Sequence, residues 1–182
     1  MAWSTPLTAV TLNLLTAAQY NASVRDNLAA TAPPIATTPG SHFVATGANK
    51  LAERIITSDV VNTAEQTSAT SYSDMATVGP RVTVTTGASA IVLMQARCRN
   101  VNGNGRFAAV TFEVSGATSI IGDDNWSVGT GGILQNNPQR IGVSRRVTTL
   151  NAGSNTFTMR YKCQAGYTPA QFEHRELVVI PL

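Results

Sequence analysis

The segment Arg106–Ser115 reads RFAAVTFEVS, and its side chains alternate with the period of two that a β-strand requires. The two faces differ in polarity. The more apolar face holds Ala108, Val110, Phe112 and Val114, and the other holds Phe107, Ala109, Thr111 and Glu113. The alternation predicts a strand with one buried face and one more polar face.

Other segments of the chain are also rich in β-branched and aromatic residues and are separated by turn residues. These further predicted strands are Arg54–Asn62, Thr70–Met75, Arg81–Thr86, Ser89–Arg99, Arg140–Leu150, Asn155–Gln164 and Glu173–Ile180. We interpret glycine-rich stretches such as Gly129–Gly132 as turns. The pattern predicts a mainly β domain over residues 51–182, an antiparallel β-sandwich or jelly roll of about eight strands.

Two of these strands are apolar on both faces. They contain Ile91–Met94 (IVLM) and Leu177–Ile180 (LVVI). A sandwich strand has one face in the core, so its second apolar face needs a cover from outside the sandwich. A second copy of the chain would supply that cover in a homo-oligomer, and an arm or loop of the same chain is the alternative.

The N-terminal part carries the one clear helix signal. Thr16 and Gln19 have the spacing of a capping box, which satisfies the unpaired amides of a first helical turn. Tyr20, Val24 and Leu28 then recur every four residues and form a narrow apolar stripe. Such a helix is marginal alone in water, so we expect it to pack against a partner surface.

The regions around the helix suggest a division of the chain. We expect residues 1–32 to form an extended apolar arm followed by the docking helix. Residues 33–50 are rich in Pro, Thr and Gly and are interpreted as a stiff linker, because proline cannot continue a helix. The β-domain would then occupy residues 51–182.

The composition argues against several classes of function. Charged residues make up 13% of the chain and the formal net charge is +3, without the clustered Lys and Arg that nucleic-acid binding requires. No apolar run approaches the ~18 residues of a transmembrane helix. The N-terminus lacks the basic start of a signal peptide, so we expect synthesis and assembly in a cytoplasm. Cys98 and Cys163 are interpreted as buried or half-buried thiols; a disulfide between them is geometrically possible but not indicated.

The sequence does not favour an enzyme. It has 2 histidines and lacks the G-x-S-x-G of a serine hydrolase, and its acidic residues offer no obvious catalytic pair. Asp123-Asp124 lacks the spacing of a calcium loop and is interpreted as a polar loop, with a weak ion site as the alternative. No cofactor is expected. Trp126 and Tyr167 lie in or beside predicted loops, where aromatic side chains stack on sugars or cap the end of a sandwich.

Three N-terminal motifs resemble a known family. They are WSTP at Trp3–Pro6, LTAAQYN at Leu15–Asn21 and VRDNL at Val24–Leu28. Their order and spacing resemble the start of small virion structural proteins of tailed phages that infect actinobacteria. The likeness continues only loosely into Tyr72–Pro80, Leu150–Tyr161 and Leu177–Leu182. The connector lacks the collagen-like or heptad repeats of a long fibre shaft.

The resemblance implies a docking module, a connector and a trimeric jelly-roll head. The implied docking residues are Trp3, Pro6, Leu15, Tyr20, Val24, Arg25, Asp26 and Leu28. We therefore expect a non-enzymatic, homotrimeric virion protein that attaches to capsid or tail proteins and displays its β-domain as a short fibre, spike or decoration. The alternative is a tail-fibre module that binds host cell-wall glycan through Trp126 and Tyr167.

Overall fold

The computed structural model of the chain describes residues 5, 7, 8, 13–31, 36–101, 106–133, 135–165 and 169–182. The chain forms two compact units, Met1–Ile55 and Ile56–Leu182. The predicted docking residues Trp3 and Pro6, and Tyr167 of the glycan alternative, lie outside the described residues.

The first unit contains the helix and a β-hairpin. The helical residues 17–29 comprise α1 (Ala17–Tyr20), a π-helical segment (Asn21–Arg25) and α2 (Asp26–Ala29). The hairpin pairs β1 (His42–Gly47) with β2 (Lys50–Arg54) in antiparallel register. Asn49 has a φ of 55° in the connecting turn, a conformation that asparagine tolerates better than most residues.

The hairpin corrects two sequence predictions. The region predicted as a linker, residues 33–50, includes β1, and the segment Arg54–Asn62 is not one strand. β2 ends at Arg54 and the next strand begins at Thr57, in the second unit. The alternation missed this break because the apolar residues Ile55 and Ile56 continue the β-like composition across it.

The second unit is an antiparallel β-sandwich. One sheet has the order β5-β10-β7-β8, and the other has the order β3-β11-β6-β9 with β4 paired to β11. We call the second of these the five-stranded sheet. The strands are β3 (Thr57–Val61), β4 (Glu65–Thr67), β5 (Arg81–Thr86), β6 (Ala90–Asn100), β7 (Arg106–Gly116), β8 (Val128–Ile133), β9 (Gln139–Val147), β10 (Gly153–Cys163) and β11 (Ala170–Pro181).

The predicted fold class, a mainly β antiparallel sandwich, is confirmed. The face of β7 predicted to be buried is buried, with Ala108, Val110 and Phe112 each at 0% exposure. Its core partners come from both sheets. They include Phe157 and Met159 of β10 and Val92, Met94, Phe172 and Leu177 of the five-stranded sheet.

Three short elements differ from the predictions. Thr70–Met75 is not a strand, although Ser73 forms a β-bridge with Tyr161. β4 was not predicted. The presumed turn Gly129–Gly132 lies inside β8, where the ring of Phe107 occupies the space that a side chain at Gly129 would fill, 2.6 Å from an added Cβ. That glycine is therefore a packing requirement and not a turn signal.

A β-bulge in β11 determines which of its side chains enter the core. Glu173 pairs with Arg97 and Glu176 with Gln95, so His174 and Arg175 together face Ala96. His174 has a φ of 46°, the left-handed conformation that such a bulge needs. The extra residue directs Arg175 inward, where it is 0% exposed.

The buried Arg175 is paired with Glu65 of β4. Its Nη2 atom lies 3.1 Å from Glu65 Oε2, its Nη1 atom donates to the carbonyl of Thr77, and its guanidinium lies 5.3 Å from the Tyr161 ring centroid. Burial alone would raise the pKa of Glu65. The hydrogen bonds from Thr77 and the positive charge of Arg175 outweigh burial and hold that pKa below its usual value.

The substitution Glu65→Gln tests this ion pair. It leaves a fully buried guanidinium without its counter-charge, so we expect the free energy of unfolding at pH 7 to fall by about 3 kcal/mol. Because the pKa of Glu65 is lowered on folding, this stabilisation is present above about pH 4.5 and is lost as the pH falls through the folded-state pKa. Urea denaturation at pH 7 and pH 3 measures both effects, and the difference between the two proteins should shrink at pH 3.

Glu173→Gln is the matched control. Glu173 lies on the same strand and pairs with Arg97, whose side chain is 42% exposed. Surface ion pairs of this kind contribute about 0–1 kcal/mol, so the control should remain within that range. Equal losses from the two substitutions would contradict the importance of the buried pair.

Candidate functional site

The first candidate surface is the helix of the first unit. Its capping box is confirmed: Gln19 Oε1 accepts from Thr16 N at 3.0 Å, and Thr16 Oγ1 accepts from Gln19 N at 3.2 Å. The middle of the helix was predicted as regular α-helix but is a π-helical segment, Asn21–Arg25. Single π-turns inside α-helices occur frequently at functional sites.

The predicted apolar stripe faces outward. Tyr20 is 52% exposed, Val24 37% and Leu28 60%, and the adjoining Leu15 is 51% exposed. A row of large apolar side chains in water is unfavourable, which makes these residues a candidate interaction surface. We call Leu15, Tyr20, Val24 and Leu28 the helix stripe.

The polar residues of the helix are satisfied locally. Arg25 Nη2 and Asp26 Oδ1 lie 2.8 Å apart in an exposed ion pair, which gives the flank of the helix stripe no net charge. The predicted arm reaches this helix at one described point, because the Leu7 amide donates to Ser23 Oγ at 2.9 Å. The helix therefore has exposed apolar side chains, while the charges of Arg25 and Asp26 neutralise each other.

The second candidate surface is the outward face of the five-stranded sheet. Leu93 pairs with Val178, and Ile91 pairs with Ile180, on adjacent strands β6 and β11. Leu93 is 38% exposed, and the other three are half-buried. These four residues, which we call the apolar sheet face, come from the stretches predicted to be apolar on both sides.

Residues flanking the apolar sheet face were not predicted. Val60 of β3 is 47% exposed, and Gly142 and Ser144 of β9 border a groove of about 360 Å³ with Leu93 and Val178. The groove exists because β9 presents small residues opposite Gln95 and Leu93. No periodicity signal identifies such a groove, since glycine and serine occur equally in turns.

The outward face of the other sheet is covered by the chain itself. Arg160 of β10 forms ion pairs with Asp74 of the β4–β5 connection and Glu113 of β7. Lys162 pairs with Asp124, which also accepts from the Tyr72 hydroxyl at 2.8 Å. Charged side chains of loops therefore cover the outward face of the sheet β5-β10-β7-β8. Among the described residues, no comparable loop covers the apolar sheet face.

The acidic loop is occupied by its own contacts. Asp123 accepts from the amides of Asn125 and Trp126 and so caps the 3₁₀ turn Asp124–Trp126. The hydrogen bond from Lys162 lowers the pKa of Asp124. Within the described ranges, no group of three His, Cys, Asp or Glu side chains is placed to hold a metal ion. The polar-loop interpretation of Asp123-Asp124 fits these contacts.

The side chain of Trp126 is half-buried. Its ring packs edge-on against Phe112 of the core, with centroids 5.8 Å apart. Such pairs are worth about 0.5–1.5 kcal/mol beyond the area they bury. This contact fits the sandwich-capping interpretation of Trp126.

The two cysteines are buried free thiols, as predicted. The Cys98 thiol donates to Thr130 Oγ1, and the Cys163 thiol donates to the carbonyl of Ala69. Burial raises the pKa of both thiols, which disfavours the reactive thiolate form. Separately, no helix in the described part of the chain is long and apolar enough to cross a membrane.

Comparison with known proteins identifies the fold. No protein-family model and no curated protein matches the sequence. The structure is similar to a protein of infectious bursal virus-derived T=1 particles, with 9% identity and a TM-score of 0.51 over 76% of this chain and 35% of that one. A mutant VP2 protein of the same virus, also from T=1 particles, matches with 8% identity and a TM-score of 0.50 over the same shares.

A further similar structure is the tumour necrosis factor Eiger of S. frugiperda. It has 10% identity and a TM-score of 0.49, and the match covers 71% of this chain and 92% of that one. The fold is a jelly roll. The chain spans about a third of the length of these viral proteins, and the likeness to them is one of fold.

A carboxylate clamp shapes the first unit beside the hairpin. Glu53 of β2 accepts from the amides of Thr37 and Thr38 at 2.9 and 2.8 Å and from the Ser41 hydroxyl at 2.6 Å. The hydrogen bonds from Ser41 and Thr37 lower the pKa of Glu53 to about 2. The clamp therefore fixes the segment that precedes β1 while the carboxylate is ionised.

Titration by NMR tests the clamp. Because the pKa of Glu53 is lowered to about 2, its carboxylate stays ionised and the hydrogen bonds persist below pH 4.5, and they are lost as the pH falls through about 2. We expect the amide shifts of Thr37 and Thr38 to titrate with a midpoint near 2, and Glu53→Gln to abolish this titration. A midpoint at the usual glutamate value, near 4.3, would refute the clamp.

Proposed function

We propose that this protein is a non-enzymatic structural component of a tailed-phage virion. Residues 1–32 attach it to a capsid or tail protein, and the jelly roll is displayed as a short homotrimeric fibre, spike or decoration. Assembly takes place in the cytoplasm of the host bacterium. The observation that carries the proposal is the pair of exposed apolar surfaces, the helix stripe and the apolar sheet face.

The helix stripe supports the attachment role. A helix of this length is marginal alone, and two of its large apolar side chains, Tyr20 and Leu28, are more than half exposed. An amphipathic helix that binds in a groove of its partner contacts it through apolar side chains three or four residues apart. Tyr20, Val24 and Leu28 have this spacing. The N-terminal motifs that resemble phage virion proteins lie in the same segment.

The apolar sheet face supports self-association. The chain covers one sheet with its own charged loops, and the comparable face of β6 and β11 presents Ile91, Leu93, Val178 and Ile180. Full burial of each such side chain contributes about 1.5–3 kcal/mol. A second copy offers the same apolar chemistry, and the three-fold arrangement follows from the resemblance to trimeric jelly-roll heads.

Glycan binding is less well supported as the role of the head. It was assigned to Trp126 and Tyr167. The Trp126 ring already packs against Phe112, and Tyr167 is outside the described residues. A binding assay on actinobacterial cell walls distinguishes the two roles, since saturable binding favours the receptor module and its absence favours structural bracing.

Substitutions on the helix stripe test attachment. We expect the double substitution Val24→Asp and Leu28→Asp to leave the sandwich folded and to reduce incorporation into virions by at least about tenfold, because two charges would enter an apolar contact. Ala18→Asp is the control: it adds a charge at an exposed position of the same helix, off the stripe. The measurement is the copy number in purified particles, and normal incorporation of the double variant would refute the docking role.

Substitution of Leu93 tests self-association. We expect the wild-type chain to be a trimer by native mass spectrometry and Leu93→Lys to be monomeric at micromolar concentration, because a charge would be buried unpaired. The control Thr85→Lys adds the same charge to β5 of the other sheet, at an exposed position. A monomeric wild type, or dissociation by Thr85→Lys alone, would contradict the assigned interface.

A further inference from the structure

Three arginines share the outward face of the five-stranded sheet, at the opposite end of β6 from Ile91. Arg97 and Arg99 lie two residues apart on β6, and Arg140 of β9 is directly opposite Arg97 in the strand register. Directly paired residues have Cβ atoms about 4.5–5.5 Å apart, and like charges in such a pair destabilise a sheet. We call Arg97, Arg99 and Arg140 the arginine triad.

Neutral amides hold two of these guanidinium groups in place. Gln171 Oε1 accepts from Arg99 Nε at 3.0 Å and Nη2 at 2.7 Å, and Gln95 Oε1 accepts from Arg140 Nη1 at 2.9 Å. An amide oxygen orients a guanidinium without cancelling its charge. In the described part of the chain, neither Arg99 nor Arg140 forms an ion pair.

The carboxylates on this face do not balance the triad. Glu173 lies 3.0 Å from Arg97 Nη1. Glu176 accepts from Gln95 Nε2, so the amide that orients Arg140 also contacts a carboxylate. Three guanidinium groups and two carboxylates on this face leave one excess positive charge, and neither carboxylate forms an ion pair with Arg99 or Arg140 in the described part of the chain. An oxyanion bound between them would relieve the repulsion of Arg97 and Arg140.

We propose that the arginine triad is a binding site for a phosphate group, held by Arg99 and Arg140 with Arg97 as the third contact. Guanidinium groups present paired N–H donors that match phosphate oxygens in bidentate geometry, and the charge-assisted bonds are stronger than neutral ones. The phosphate is either a free ion or a unit of a phosphodiester polymer. The site does not depend on the virion role.

Calorimetric titration of the full chain tests the site. The probes are inorganic phosphate and poly(glycerol phosphate), each at constant ionic strength with chloride as the balancing anion. We expect saturable binding that Arg99→Gln and Arg140→Gln each weaken by about tenfold or more. Tighter binding of the polymer identifies a phosphodiester ligand, and tighter binding of the free ion identifies phosphate itself.

Two further variants make the test specific. Arg146→Gln removes the same charge from the same strand at an exposed position opposite Ile91, so phosphate affinity should be unchanged. Glu173→Gln releases Arg97 from its carboxylate and should tighten binding several-fold, an effect that a purely structural triad would not show. No saturable binding of either probe, or an equal loss in Arg146→Gln, would overturn the proposal.

Discussion

The buried ion pair of Arg175 and Glu65 links the register of the sheet to the packing of its connections. Phe172 and Leu177 both enter the core although they lie an odd number of residues apart on β11. Strict alternation would send one of them to the outward face, so β11 needs one extra residue between them. The bulge supplies it and turns Arg175 inward, which requires a buried carboxylate nearby. Glu65 meets that need from β4, and Thr77 joins it through hydrogen bonds. The connection between β3 and β5 is thereby held against the sandwich.

Alternation could predict the long strands because each has one face in the core. β5 has the bounds expected from Arg81–Thr86, and β7 agrees with its prediction to within one residue. The pattern fails where another contact determines the conformation. Gly129 lies in β8 because the Phe107 ring fills its side-chain space, and the partner strand is needed to see that. The bulge at His174 could not be predicted from the sequence for the same reason, since it depends on the pairing of β11 with β6. The hairpin β1–β2 was missed because β1 lies in a region whose prolines and glycines were interpreted as a linker.

The candidate surfaces differ in how far the sequence could indicate them. The capping box and the stripe of Tyr20, Val24 and Leu28 are local patterns, and both occur in the structure. The doubly apolar strands were also recognisable, because Ile91–Met94 leaves no polar face. The arginine triad was not, since Arg97 and Arg140 are distant in sequence and meet only through the pairing of β6 with β9. Loop position alone was a weak guide for Trp126, whose ring packs on the core.

The position of the apolar sheet face bears on how a weak helix could anchor the protein. β3 begins at Thr57, opposite Val179, so the chain enters the five-stranded sheet next to the end of β11 that holds Ile180. Copies joined through this face would bring several copies of the helix into one assembly. A narrow stripe of Tyr20, Val24 and Leu28 offers little binding energy per helix. Linked binding segments act at high effective concentration, and the avidity of such a set can exceed a single affinity by about 10²–10⁴-fold. Self-association of the sandwich would therefore turn a marginal helix into a stable anchor.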